Sequence, residues 1–145
     1  MQISVKKLVP WAKLPQYGSS EAAGADLYAA LREETVIPPG ETRLIPTGIA
    51  LQIPSGYGGF LYARSGLALK KGLAPANKVG VIDADYRGEV MVALHNHSRE
   101  AQTVEPLERI AQLVLAPFLK GEFLAVEELE ETQRGSGGFG STGQK

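Results

Sequence analysis

Apolar and polar residues alternate along this chain in short runs, each stopped within a few positions by glycine or proline. That pattern predicts many short strands joined by turns. Ile3, Val5 and Lys7 alternate with Ser4 and Lys6, which predicts an edge strand with its lysines outward. Ala23 to Tyr28 predicts a second strand, in which Gly24 lets a neighbouring backbone pass closely. Val36-Ile-Pro-Pro-Gly40 predicts a turn, and Thr42 to Ile53 predicts two strands broken at Pro46 to Gly48. Arg64 to Gly72 predicts a short helix, capped by Ser65 at its start and Gly72 at its end, with Lys70 and Lys71 in the last turn. Arg109 to Pro117 is a nearly continuous apolar run and predicts a strand, and Glu122 to Leu129 predicts the last one.

The stretch from Asn77 to Met91 predicts a β-hairpin. An apolar strand from Lys78 enters a turn at Asp85-Tyr-Arg-Gly88, with Asp and Gly where a type I turn favours them. The return strand has Val90, Val92 and Leu94 on one face and Met91, Ala93 and His95 on the other. Period-2 geometry also puts Asp83 and Asp85 on one face near the tip. Asp85 is accounted for as a turn cap. Asp83 belongs to the apolar run Val79-Gly-Val-Ile, where a partly buried carboxylate costs free energy unless paired, and this marks it as a candidate general base.

Composition narrows the class. The 145 residues, 43% of them hydrophobic, suffice for one self-contained core, and 17 Gly and 9 Pro suit a turn-rich β fold. A net charge of −1 without a basic stretch argues against general binding of nucleic acid or membrane, while leaving room for a small anion at a local cluster. The absence of cysteine excludes a disulfide framework, thiolate metal ligands and a cysteine nucleophile. No run reaches membrane length, so the expectation is a soluble, cytoplasmic protein.

Several residues carry chemistry with two readings each. Asp26, between apolar neighbours, is either a buried partner for an arginine or part of a reactive site. Arg64, Ser65 and the free N–H groups at the helix start are either an ordinary capped helix with a surface arginine or a phosphate cradle. Gln112 sits inside an apolar strand and needs partners, internal or on a ligand. His95 and His97 alternate on a strand and could contribute to a transition-metal site, though no third ligand is evident. Gly135 to Gly140 fits G-x-G-x-x-G without the strand-turn-helix that a dinucleotide fold requires, and Ser141 stands where a P-loop needs lysine. Beyond Glu130 the chain is too rich in glycine to fold unaided, yet Arg134 and Phe139 put a cation and a ring on a flexible tether.

Five stretches together resemble the motifs of the homotrimeric dUTP pyrophosphatases (dUTPases). They are Ala23-Gly-Ala-Asp-Leu27, Arg64-Ser-Gly66, Gly80-Val-Ile-Asp-Ala-Asp-Tyr-Arg-Gly88, Arg109-Ile-Ala-Gln-Leu113 and Arg134-Gly-Ser-Gly-Gly-Phe-Gly-Ser-Thr-Gly143. Ala63 stands where the family often has proline, and Leu107-Glu108 where it usually has Gly-Asp, which leaves the role of Glu108 open. The resemblance implies an all-β, distorted jelly-roll β-barrel over residues 1–130 with one short helix, and a flexible C-terminal arm, 131–145, that closes over the active site. It implies hydrolysis of dUTP to dUMP and pyrophosphate, keeping uracil out of DNA and supplying dUMP for thymidylate synthesis. Asp83 would activate the attacking water, with Mg2+ held by the substrate phosphates and water rather than directly by the protein. Arg64, Ser65, Gly66 and Gln112 would hold the phosphates, with Asp26 supporting the phosphate and metal site. Asn77, Gly80, Val81, Ile82 and Asp83 would read uracil, with Tyr86 under the sugar and Met91 nearby. Arg134, Phe139 and Gly140 of the arm would clamp phosphate and base. It also implies a homotrimer whose active sites are shared between chains. Two relatives in activity stay open: a bifunctional dCTP deaminase/dUTPase, and a non-catalytic nucleotide-binding regulator.

Overall fold

The computed structural model describes residues 1–138. Its described residues form β1 (Ser4–Lys7), β2 (Gln16–Tyr17), β3 (Ala25–Tyr28), β4 (Thr35–Ile37), β5 (Thr42–Pro46), β6 (Ile49–Gln52), β7 (Tyr57–Tyr62), α1 (Ser65–Lys71), β8 (Leu73–Pro75), β9 (Gly80–Ile82), β10 (Met91–Asn96), β11 (Gln102–Val104) and β12 (Arg109–Pro117). The largest sheet has the order β2-β3-β12-β7-β9; a second has the order β5-β10-β8, and β1-β6 and β11-β4 pair separately. All pairings are antiparallel. This is an all-β, jelly-roll-like architecture whose sheets do not close into one continuous ladder.

β12 organises the large sheet, because its continuous apolar run can be covered on both faces and paired on both edges. It pairs β3 through Gln112 opposite Asp26, and β7 through Gln112 opposite Tyr62. Leu27, Ile37, Ile45, Ile49, Leu73, Leu94 and Ile110 meet in one core, each at most 1% exposed. Burying a side chain of that size contributes roughly 1.5–3 kcal/mol, so the core fixes how the sheets face each other. The one polar amide in that core, Asn96, is satisfied: its Nδ2 donates to Ile37 O and Glu100 O at 2.8 Å, and its Oδ1 accepts from Ser98. Among the described residues no helix is long and apolar enough to cross a membrane.

The hairpin expectation is corrected. β9 pairs with β7 and β10 pairs with β5 and β8, so the two strands flanking residues 83–90 belong to different sheets. Alternation identifies strands but not their partners, and here β9 takes β7 as its partner while β10 takes β5 and β8. The chain turns earlier than expected as well, with Tyr86 N–H donating to Asp83 O at 3.1 Å. Of the turn expected over Val36 to Gly40, Val36 and Ile37 belong to β4, and the turn itself occupies Pro38 to Glu41, where Glu41 N–H donates to Pro38 O at 3.1 Å. Ser65 is the first helical residue instead of the cap; Arg64 holds that position in an extended conformation without a side-chain cap, while Gly72 closes the helix at φ 64° as expected. Residues 122–129 form no strand and are exposed.

Candidate active site

The connection between β9 and β10 lines a pocket of about 340 Å³. Asn77, Gly80, Val81, Ile82, Asp83, Tyr86 and Met91 all line it, so seven residues expected from one stretch of sequence converge on one cavity. Leu44, Leu61, Glu89 and Val90 complete the walls. Sequence reasoning missed these four, although Glu89 and Val90 directly follow the turn.

Local bonds hold the pocket in shape. Gly88 has no room for a Cβ, because the Tyr86 ring lies against it, and the Tyr86 hydroxyl donates to Glu89 O at 3.0 Å. Arg87 Nη1 donates to Ala84 O at 2.7 Å and Tyr86 O at 2.9 Å, pinning the loop to itself. The Glu89 carboxylate accepts the Gly48 N–H at 2.8 Å, and Thr47 Oγ1 donates to Val90 O, which fixes the start of β10. On the other side, Lys78 takes a positive φ of 65° and Lys78 N–H donates to Pro75 O at 3.0 Å, bringing Asn77 to the cavity.

β9 is the end strand of its sheet, so its free edge offers backbone donors and acceptors beside the cavity. Such an edge can read a planar polar ring, and the cavity size is in the range for small ligands. Asp83 is exposed rather than partly buried as expected. It follows Ile82, which is buried, on the outward side that also carries Val81, 64% exposed. Its carboxylate has no side-chain hydrogen bond or ion pair among the described residues, which leaves it available to a water.

A second cluster forms where β7 passes into α1. Arg64 Nε bonds Asp26 Oδ1 at 2.6 Å and Arg109 Nη1 bonds Asp26 Oδ2 at 3.2 Å. Asp26 is therefore an arginine partner within the chain, and it aims the Arg64 guanidinium. Gln112 Nε2 donates to Ala63 O at 2.9 Å, steadying the residue before Arg64. A Cβ on Gly24 would land on the Gln112 amide, so the close approach expected of that glycine is realised. Ser65 and Gly66 are exposed at the head of α1. Glu108, whose role the sequence left open, bonds Lys71 Nζ at 2.7 Å and accepts the Glu105 N–H at 3.0 Å, tying α1 to the turn before β12.

None of Arg64, Ser65, Gly66 and Gln112 lines the pocket, so the cavity and the arginine cluster are two distinct groups of residues within one chain. Arg134 is exposed and donates to Gly137 O at 2.8 Å in a local turn. Phe139 and Gly140 lie outside the described residues. His95 and His97 stand apart from both clusters, with ring centroids 4.4 Å apart. His97 is held below the ordinary histidine pKa by desolvation first, then by His95 and Lys78.

The fold and site define a jelly-roll-like β protein with a pocket beside a free strand edge and an arginine cluster at a helix start. Comparison with known proteins makes this specific. The family model described as dUTPase matches residues 11–143, and the chain belongs to the dUTPase family. It is 55% identical over 132 residues to a deoxyuridine 5'-triphosphate nucleotidohydrolase of Desulfitobacterium hafniense, covering 90% of this chain and 87% of that one. It is 50% identical over 144 residues to the protein of that description from Nautilia profundicola, covering 99% of this chain and 100% of that one. A mutant Staphylococcus bacteriophage 80alpha dUTPase with dUpNHpp superposes with a TM-score of 0.86 at 32% identity, covering 98% of both chains. A mutant dUTPase from phage phi11 of S. aureus, described as coordinating a structural Mg(II) ion, gives a TM-score of 0.79 at 28% identity, over 90% of this chain and 100% of that one.

Proposed function

We propose that this chain hydrolyses dUTP to dUMP and pyrophosphate, in the cytoplasm, limiting uracil in DNA and supplying dUMP. The observation that carries this reading is the convergence of Asn77, the β9 backbone, Asp83, Tyr86 and Met91 on one cavity. In this reading the backbone edge of β9 and the Asn77 amide read uracil. A wall that close leaves no space for the methyl of thymine, and its fixed donors and acceptors mismatch cytosine. Tyr86, held against Gly88 and Glu89, packs under the sugar and excludes a 2′-hydroxyl.

Asp83 takes a proton from the water that attacks the α-phosphorus; a new P–O bond forms as the bond to the leaving pyrophosphate breaks. Arg64, aimed by Asp26, holds the phosphates with Ser65, Gly66 and Gln112, and stabilises charge as it builds. Mg2+ would be held by the substrate phosphates and water rather than directly by the protein, and would supply neutralisation of phosphate charge beside Arg64, Ser65, Gly66 and Gln112. The donors present suit that arrangement: at the phosphate cluster Asp26 is committed to two arginines, and the free groups are cationic or neutral.

The cavity and the arginine cluster of each active site belong to different chains of a homotrimer, with residues 1–130 forming the body and 131–145 the arm that brings Arg134, Phe139 and Gly140 over the ligand. Their separation within one chain supports this sharing, as do the uncovered Leu119, Phe123, Leu124, Val126 and Leu129, each at least 61% exposed.

The deciding measurement is pyrophosphate release from dUTP with Mg2+, set against dTTP, UTP and dCTP. Selective turnover of dUTP is expected. No turnover would leave a nucleotide-binding regulator, and ammonia release from dCTP would establish the bifunctional deaminase.

A further inference from the structure

The proposed reaction leaves His95 and His97 without a role. His95 shares its face of β10 with Ala93 and Met91 and lies about 13 Å along the strand from the pocket residue Met91, while Leu44, which also lines the pocket, stands opposite Ala93 on β5. Neither histidine lines the nucleotide cavity. Their two rings meet edge to face with centroids 4.4 Å apart.

Thr42 lies opposite His95 across the β5–β10 ladder, and its Oγ1 is 3.0 Å from His95 Nδ1. When that hydroxyl accepts the Nδ1–H, the ring is fixed in the tautomer whose Nε2 lone pair points away from Thr42. Histidines that bind metals are oriented by this kind of partner. The His97 ring is exposed and has no hydrogen bond among the described residues. One oriented and one free imidazole thus share a solvent-facing site. The Glu41 carboxylate, just before β5, is occupied by Arg43 at 2.6 Å. Lys78 is the cation acting on His97, and its exposed, flexible side chain can turn away.

We propose that His95 and His97 chelate a borderline divalent transition cation, with water completing its coordination, at a site apart from the nucleotide pocket. Two neutral nitrogen donors without a carboxylate select Zn2+, Ni2+ or Cu2+ over Mg2+ and Ca2+, which require oxygen ligands.

The test is calorimetric titration of Zn2+ into the untagged full chain, stripped by chelator and free of nucleotide. Saturable uptake of at most one ion per chain is expected. His95→Gln and His97→Gln should each weaken it more than tenfold, and Thr42→Val about tenfold, as the ring loses its orienting partner. His97 is exposed, so His97→Gln should fold normally and is the deciding variant if His95→Gln is unstable. Absence of saturable uptake, uptake undiminished in His97→Gln, or loss in only one folded histidine variant would each overturn chelation.

Discussion

Asp83 and Asp26 are both carboxylates in apolar β segments, and their surroundings separate them. Asp26 is spoken for by two guanidiniums that lie 38 and 83 residues away in sequence. Asp83 stands at the outward end of β9 beside the cavity and bonds to no side chain. If it is the general base, Asp83→Asn keeps the shape and removes the proton acceptor. The expected result is a fall in kcat of about 10²–10⁴-fold with the nucleotide dissociation constant little changed, read by pyrophosphate release and calorimetry. A loss of affinity without the loss of turnover would make the residue a binding contact. The sequence marked both aspartates as special; it could not say which was paired, since a partner so distant along the chain is chosen only by the register of β3, β7 and β12.

Elements were legible where local chemistry suffices. The nine residues of β12 match the apolar run, and the end of α1 matches Gly72. They were illegible where a strand had to choose a partner, as with β9 and β10, or where strands were too short to show a period, as with β2, β8 and β11. The turn before β12 carries a further consequence. Glu108 N–H donates to Glu105 O at 3.1 Å, Pro106 fills the second position, and Leu107 takes φ 60° at the third, where a type II turn calls for glycine. A side chain in that conformation costs about 1–2 kcal/mol, and Leu107 buries little in return, being 47% exposed. Leu107→Gly is therefore expected to stabilise the fold by about 1 kcal/mol after the added freedom of the unfolded chain, read as a higher urea midpoint at unchanged slope. A lowered midpoint would mean that the leucine makes contacts in the assembly that outweigh the strain.

For the whole molecule, residues 118–131 form no helix or strand and leave apolar side chains facing solvent. Leu119 is fully exposed and Phe123 is 98% exposed, an arrangement expected of a surface completed by another copy. Truncation after Gln133 tests the arm apart from that surface. It keeps residues 118–129, so light scattering should still find a trimer, while removal of Arg134 and Phe139 should leave little dUTP hydrolysis. An active truncate would remove the arm from the mechanism, and a monomeric full-length chain would remove site sharing.

The sequence by itself determined the β class and the short helix that ends at Gly72, because these follow from alternation and turn chemistry over a few residues. Only the tertiary structure decided that β9 leaves a free edge, that Asp26 is held by Arg64 and Arg109, and that the cavity residues and the arginine cluster form two distinct groups in one chain. Those features depend on which strands pair, and pairing is set by burial of the common core across the full length of the chain rather than by any segment alone.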